Sequence, residues 1–158
     1  KYAGELAASR VSQTTLRTNF VGRSVHPTRK SWSDWLVGAL TAGDAVTVVE
    51  DVHFSPLSMQ RVATVVELVV RTQRPGVFNI GSHNGMSKSD FAFALASVLH
   101  LPVDSMRRGS LAELGLNTYR PKGMCMDSAL FEQTYGTLLP TLESEIAAVG
   151  AEYGTHGS

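Results

Sequence analysis

LRTNFVG, residues 16–22, decides the fold of this chain. It sits in the run 14–21, TTLRTNFV, which is rich in β-branched residues, lacks helical spacing and so predicts a strand. Tyr2, Leu6, the alanines beside it and Val11 recur at helical spacing ahead of that run, so the chain opens as helix then strand. A second β-branched apolar run, VFNI at 77–80, is closed by Gly81 and predicts a buried strand. Helical and strand patterns alternate along the chain, which makes the expected class α/β, with these two strands as parallel neighbours in a covered sheet. Two strands do not make a stable sheet alone, so something else must pair their edges.

The remaining elements follow from caps and periodicity. Residues 22–30 read as a loop interrupted by Pro27. Ser31 is a candidate N-cap for a helix carrying Trp32, Trp35, Leu36, Ala39 and Leu40, with both tryptophans expected on its buried face and Gly43 just past its end. Residues 46–49 form a short apolar strand, and 51–56 stay extended because Pro56 restricts the residue before it. Met59, Val62, Ala63, Val66, Val69 and Val70 mark a long helix ending before Pro75. Ser87 with Asp90 opens a helix on Phe91, Leu95, Val98 and Leu99, and Ser110 with Glu113 opens a short one stopping at Gly115. Asp127 is placed to cap a helix on Leu130 and Phe131 ending near Gly136. Leu142, Ile146 and Val149 form the last helix, and the tail from Gly150 is expected to fray.

Composition narrows the function classes. At 158 residues, 43% hydrophobic and 18% charged, the chain can bury one sizeable core. Fourteen basic residues cancel fourteen acidic ones, leaving no global field for a nucleic-acid backbone or an anionic membrane. The pairs Arg29–Lys30 and Arg107–Arg108 lack aromatic interleaving and read as solvated loop charges. The single cysteine, Cys125, excludes an internal disulfide and any thiolate-rich metal site. The five histidines show no HxxxH spacing, so no metal is expected. No apolar run approaches the ~18 residues of a membrane span, and residues 1–10 lack the apolar centre of a signal peptide. The expected compartment is the cytoplasm. A chain beginning at Lys1 fits a cleaved or truncated product better than an untouched translation product.

The ordered set KYAGE, LRTNFVG, VEDVHFSP, GVFNIGS, MSKSDFAFALA and YRPKGMCMD resembles the extended short-chain dehydrogenase/reductases, with dTDP-4-dehydrorhamnose reductase and its sugar-nucleotide-binding relatives the nearest branch. The match runs from Lys1 to about Val149. The resemblance implies the C-terminal portion of an extended Rossmann-type reductase, with a few parallel strands, flanking helices and an incomplete cofactor sheet. It implies residues 1–30 as a remnant of the cofactor domain, 31–150 as the substrate-binding portion including the strand near 77–80, and 151–158 as a flexible tail.

In that family a YxxxK motif supplies an acid/base tyrosine and a lysine that lowers its pKa and holds the nicotinamide ribose. Lys1 falls where that lysine stands, which makes it the catalytic and cofactor-binding candidate, with the partner tyrosine three residues upstream of the sequence. By the same resemblance Asn19 and Phe20 line the junction of nicotinamide and sugar nucleotide. Asn19 can hydrogen-bond to a cofactor, sugar or phosphate oxygen, and Phe20 can stack on a ring. The RP of YRPKGMCMD matches a family arginine near the nucleotide, so Arg120 is the diphosphate candidate and Lys122 a weaker second. Trp32, with Trp35, can contribute a nucleobase wall, although helical spacing also suits both to a core. Whatever NAD or NADP the intact parent uses, tight binding by this chain alone is not expected, because no GxGxxG occurs. The nearest stretch, GSHNG at 81–85, has the wrong spacing and reads as a strand-to-helix loop. Asp51, His53 and Ser55 alternate along one strand face about 6.6 Å apart, a poor match to a converging hydrolase triad.

The function expected is therefore the nucleotide-sugar-binding portion of an NAD(P)-dependent sugar-nucleotide reductase, epimerase or dehydratase, inactive as isolated. The alternative is a non-catalytic binding or scaffold module of the same fold. Expected partners are a nucleotide sugar and either the missing cofactor half or a second copy of the chain. An unpaired edge on the strand at 14–21 predicts a homo-oligomer.

Overall fold

The computed structural model describes residues 2–8, 13–26, 28–115 and 117–154. Helix α1 (Tyr2–Ala8) precedes strand β1 (Thr14–Thr18), as expected for the opening. Lys1, Val11 and Pro27 lie outside the described residues. The single strand predicted over 14–21 is broken at Asn19 into β1 and β2 (Phe20–Val21), because the two halves pair with different partners. β1 runs parallel to β6 (Gly76–Ile80), with Leu16 opposite Phe78, and β2 runs parallel to β5 (Leu57–Ser58).

Helix α2 (Trp32–Ala42) begins at a full capping box between Ser31 and Asp34 and ends at left-handed Gly43. Its buried residues are Ser33, Leu36 and Leu40. The expectation that both tryptophans face the core holds for Trp32, which packs on Phe54 and Phe91, and is corrected for Trp35, which is 45% exposed. The turn-to-turn drift of a 3.6-residue period carries position 35 off the Leu36–Leu40 stripe.

Strand β3 (Val46–Val49) pairs in parallel with β8 (Met106–Gly109). β8 corrects the reading of Arg107 and Arg108 as loop charges. Both are exposed strand residues, bound to Glu113 at 3.0 Å and Asp90 at 2.7 Å. Strand β4 (His53–Phe54) is central to a small mixed sheet, antiparallel to β7 (Met86–Ser87) and parallel to β9 (Gly123–Met124). Helix α3 (Met59–Thr72) is capped by Ser58, and α4 (Lys88–Val98) by Ser87. A 3₁₀ turn (Leu111–Leu114) and α5 (Ala129–Tyr135) follow. α5 is capped at Ser128, with Asp127 accepting the Ala129 amide at 3.0 Å.

The last helix, α6 (Leu142–Gly154), overturns the expected tail from 151 as far as residue 154. Its final turn is held across the chain. Tyr153 donates to Asp34 Oδ1 at 2.8 Å, and Glu152 accepts the Arg23 amide at 2.7 Å. Buried Glu145, one turn into the same helix, accepts the Ser58 amide and lies 3.5 Å from Arg61 Nε, so a carboxylate answers the positive end of α3.

Two apolar clusters result. The larger joins α2, β3, β4, α4 and α6 around Leu36, Phe54, Phe91, Leu95 and Val149. Within it Trp32, Phe54 and Phe91 form a tilted triad with centroids 5.3–6.2 Å apart. The smaller joins the β1–β6 ladder to α3 and α5 through Phe78, Ile80 and Phe131. Phe131 stacks on Tyr135 at 4.6 Å.

Gly81 is fixed by close packing. A Cβ there meets Ser55 Oγ at 2.6 Å, the Ser55 carbonyl at 2.7 Å and Met126 Cβ at 2.8 Å. Gly81→Ala is expected to cost about 1–3 kcal/mol through overpacking. Gly38→Ala, inside α2 with nothing within 4 Å of its Cβ, is expected to gain roughly 0.5–1 kcal/mol. Urea denaturation of both variants checks the opposite signs. The α2–α6 link adds a pH signature. Burial, reinforced by the Asp34 carboxylate and opposed by the Ser33 hydroxyl, pushes the Tyr153 phenol up to about 12. A raised folded pKa gives stability that is whole below the unfolded tyrosine value, near 10, and is lost as pH rises towards 12. Tyr153→Phe should therefore flatten the decline between about pH 10 and 12, measured as Tm against pH.

Candidate functional site

Three hollows open near Trp32 and Arg120. The first, about 630 Å³, is walled by Trp32 and Trp35 of α2 and floored by Thr47, Val48, Val49 and Val52. Lys88, Leu111, Leu114, Arg120, Pro121 and Met124 complete it. The second, about 480 Å³, lies beyond Trp32 and is lined by Phe20, Met59, Arg23, Arg29 and Lys30 among others. The third, about 560 Å³, shares Leu111 and Arg120 with the first and adds Tyr119 and Lys122. Trp32 thus stands between two hollows and Arg120 between two.

The floor of the first hollow is apolar because β3 is covered from behind by α2 and α4, with Val46, Val48 and Val49 buried. Trp32 is fixed by its ring contacts to Phe54 and Phe91. Trp35, one turn on, is free to meet a ligand ring. Lys88 Nζ sits 5.6 Å from the Trp32 ring centroid and 5.8 Å from that of Phe54. Burial first, and then the charge of Arg120, hold the Lys88 ammonium below the usual lysine value. Neither Lys88 Nζ nor the Arg120 guanidinium has a carboxylate partner among the described residues. The aromatic faces therefore provide what stabilisation the half-buried ammonium has, of order 0.5–2 kcal/mol.

The candidates named from sequence separate in space. Arg120, Trp32 and Trp35 meet at the first hollow. Lys122 lies at the third, where it pairs with Asp51 at 2.6 Å. Side-chain hydrogen bonding to Lys122, then the Leu111 amide, hold the Asp51 carboxyl below its ordinary value. Phe20 is 60% exposed and lines the second hollow. Asn19 lines none of the three; its Nδ2 donates to the Met124 carbonyl at 2.8 Å, and its Oδ1 is buried without a partner. Lys1 is outside the described residues.

Asp51, His53 and Ser55 do not converge. Asp51 is held by Lys122, His53 is exposed, and Ser55 Oγ accepts the Met126 amide at 2.8 Å. Among the described residues no group of three or more His, Cys, Asp or Glu side chains could hold a metal ion. No described helix is long and apolar enough to cross a membrane.

Lys88 escaped the sequence reading although a signal for it existed. It is the first residue of α4, where the helix dipole favours an acid and opposes a cation, so a lysine there calls for another reason. Leu111, Leu114 and Met124 carried no such mark. They reach the hollow through a 3₁₀ turn and a two-residue strand.

GSHNG does not form a phosphate cradle. The space over Gly81 is filled by Ser55 and Met126, and that over Gly85 by Cys125 Sγ, 2.6 Å from a Cβ position. Where a dinucleotide loop keeps its glycine faces open to pyrophosphate, this loop closes them with protein. The 81–85 loop therefore offers no open glycine face to a pyrophosphate.

No protein-family model matches the sequence. A curated relative, described as a probable low-salt glycan biosynthesis reductase of Haloferax volcanii, is 27% identical over 162 aligned positions that span 100% of this chain and 54% of the relative. The dTDP-4-dehydrorhamnose reductase of Bacillus anthracis, solved in complex with NADP, superposes with a TM-score of 0.85 at 20% identity over 96% of this chain and 53% of its own. The UDP-glucose 4-epimerase of Thermotoga maritima, solved with UDP-glucose, superposes with a TM-score of 0.77 at 15% identity over 98% of this chain and 52% of its own. The chain spans about half the length of these relatives. Its fold is similar to that of about half of the dTDP-4-dehydrorhamnose reductase and UDP-glucose 4-epimerase structures.

Proposed function

We propose that this chain is the nucleotide-sugar-binding portion of an NAD(P)-dependent sugar-nucleotide reductase, epimerase or dehydratase, and that it does not turn over substrate by itself. The observation that carries the reading is the first hollow: an apolar floor, a tryptophan wall and an arginine without an ion-pair partner among the described residues. A nucleoside diphosphate sugar presents a flat ring to such a wall and a charged diphosphate to such an arginine. The relatives support the substrate class, since those of known structure include a reductase with NADP and an epimerase with UDP-glucose.

In this reading Trp35 and Trp32 hold the base, Arg120 holds the diphosphate bidentately, and Phe20 borders the sugar in the adjoining hollow. These contacts position the sugar carbon and do no chemistry on it. Nicotinamide cofactor, when bound in the parent, accepts or supplies the hydride. Its pyrophosphate cradle belongs to the rest of that parent, whose strands would also continue the sheet beyond β1. A second copy of this chain is the other candidate for that edge.

Both tryptophans of the chain line the first hollow, so their fluorescence reports its occupancy. Titration with dTDP-glucose and UDP-glucose is expected to quench it saturably, and Arg120→Gln should weaken the better ligand about tenfold. NADPH is expected to bind far more weakly than either. Tight NADPH binding, or failure of both nucleotide sugars to bind, would overturn the reading.

A further inference from the structure

We propose that Lys88 and Arg120 together form a two-cation clamp for the diphosphate of the ligand, with Lys88, not Lys122, as the second phosphate-binding residue. The proposal rests on the nucleotide-sugar reading of the first hollow and adds a residue and a charge requirement to it.

Three observations converge on Lys88. Its side chain lines the same hollow as Arg120, Trp32 and Trp35. Its ammonium is half-buried over the faces of Trp32 and Phe54, yet no carboxylate or other polar group bonds it among the described residues. It occupies the first turn of α4, where its charge opposes the helix dipole instead of complementing it. Burial without an ion-pair partner and the helix dipole raise the cost of keeping a cation there, the aromatic faces offset part of it, and the α4 cap is made by Ser87 and Asp90 without Lys88.

Such a site lowers its free energy when an anion arrives. Two cations that line one hollow repel one another. A ligand with two adjacent negative centres relieves both at once, whereas a single phosphate answers one and leaves the other unpaired. Lys122 cannot serve equally, because freeing it breaks its 2.6 Å bond to Asp51, whose other oxygen holds the Leu111 amide at 2.8 Å. The diphosphate link of a nucleoside diphosphate sugar carries two adjacent negative centres of this kind. The aromatic wall beside the clamp then receives the base.

Isothermal titration of the chain with inorganic pyrophosphate, orthophosphate and dTDP separates the clamp from the wall. Pyrophosphate is expected to bind about tenfold or more tightly than orthophosphate. Lys88→Met keeps the aliphatic stem against Trp32 and should weaken pyrophosphate and dTDP by about tenfold or more, while Lys88→Arg should restore most of the loss. Arg107→Gln, which removes an exposed charge paired with Glu113 outside the hollow, should change binding less than about twofold. Circular dichroism of each variant checks the fold, and the Lys88→Arg arm carries the test if the methionine variant does not fold. Retention of pyrophosphate affinity in Lys88→Met, or equal loss in Lys88→Arg and Lys88→Met, overturns the clamp, as does absence of pyrophosphate binding to the unaltered chain. If pyrophosphate binds through Lys88 but dTDP and UDP bind no tighter than pyrophosphate, the clamp stands and the nucleotide reading fails.

Discussion

The structure depends on satisfying the backbone of one buried extended segment, residues 52–57. Val52 and the residues from Phe54 to Leu57 are buried, so their peptide groups cannot turn to water and must find protein partners. They find them in four separate parts of the chain. The Val52 carbonyl accepts from Lys88 at 2.8 Å, and the His53 amide donates to the Lys122 carbonyl at 2.7 Å. The Ser55 carbonyl accepts from Ser82 at 3.0 Å, and the Leu57 amide donates to the Asn19 carbonyl at 3.1 Å. The segment is thus the common seam of β2, the 81–85 loop, α4 and the loop ahead of β9. Leaving any one of these groups unpaired in the interior costs on the order of 1–3 kcal/mol. Gly81 is required by the same seam, because its backbone approaches Ser55 too closely for a side chain.

The binding hollow is a by-product of that seam. The bond that anchors Val52 to Lys88 sets where α4 begins, and with it where the Lys88 side chain emerges beside Trp32. The bond that anchors His53 to the Lys122 carbonyl fixes the strip carrying Arg120 on the opposite lip. The Lys122 side chain reinforces this by gripping Asp51, one residue before the seam. One cation of the YRPKGMCMD stretch is consumed as structure so that its neighbour two residues earlier can stay unpaired. That division of labour is electrostatic, and side chains of the same charge are sorted by which one can reach a carboxylate.

Much of the scaffold was legible because its signals are local. Ser31 and Ser87 each accept an amide three residues on, and Gly43, Gly115 and Gly136 each take the left-handed conformation that ends a helix or turn. A periodic stripe and a cap are properties of neighbouring residues, so no tertiary knowledge is needed to see them. The short strands were not legible. Met106–Gly109 carries two arginines in four residues, and Gly123–Met124 is two residues long. Each is a strand only because a distant partner, β3 or β4, offers it a ladder. The site followed the same rule. Arg120 and Trp32 were named from a resemblance, whereas the competition between Lys88 and Lys122 turns on Asp51, which lies far from both in sequence.

The two apolar clusters differ in how thoroughly they are covered, and that difference bears on where the chain keeps its order. Around the hollow, Leu36, Phe91, Leu95, Leu142 and Val149 are all at 1% exposure or less. Around the β1–β6 ladder, Val77 of β6 and Val66 and Val70 of α3 remain 44–63% exposed, although they belong to elements of the kind that parallel sheets bury on both faces. A two-stranded parallel ladder gains little on its own, since its non-local pairing is entropically costly and its outer edges stay open. The cluster behind the hollow also holds a two-stranded parallel ladder, β3–β8, but adds helix packing between α4 and α6 and the 52–57 seam. Order around the first hollow is therefore secured by contacts within this chain, while the β1–β6 ladder is the part whose stability rises most when further strands or a second surface cover it.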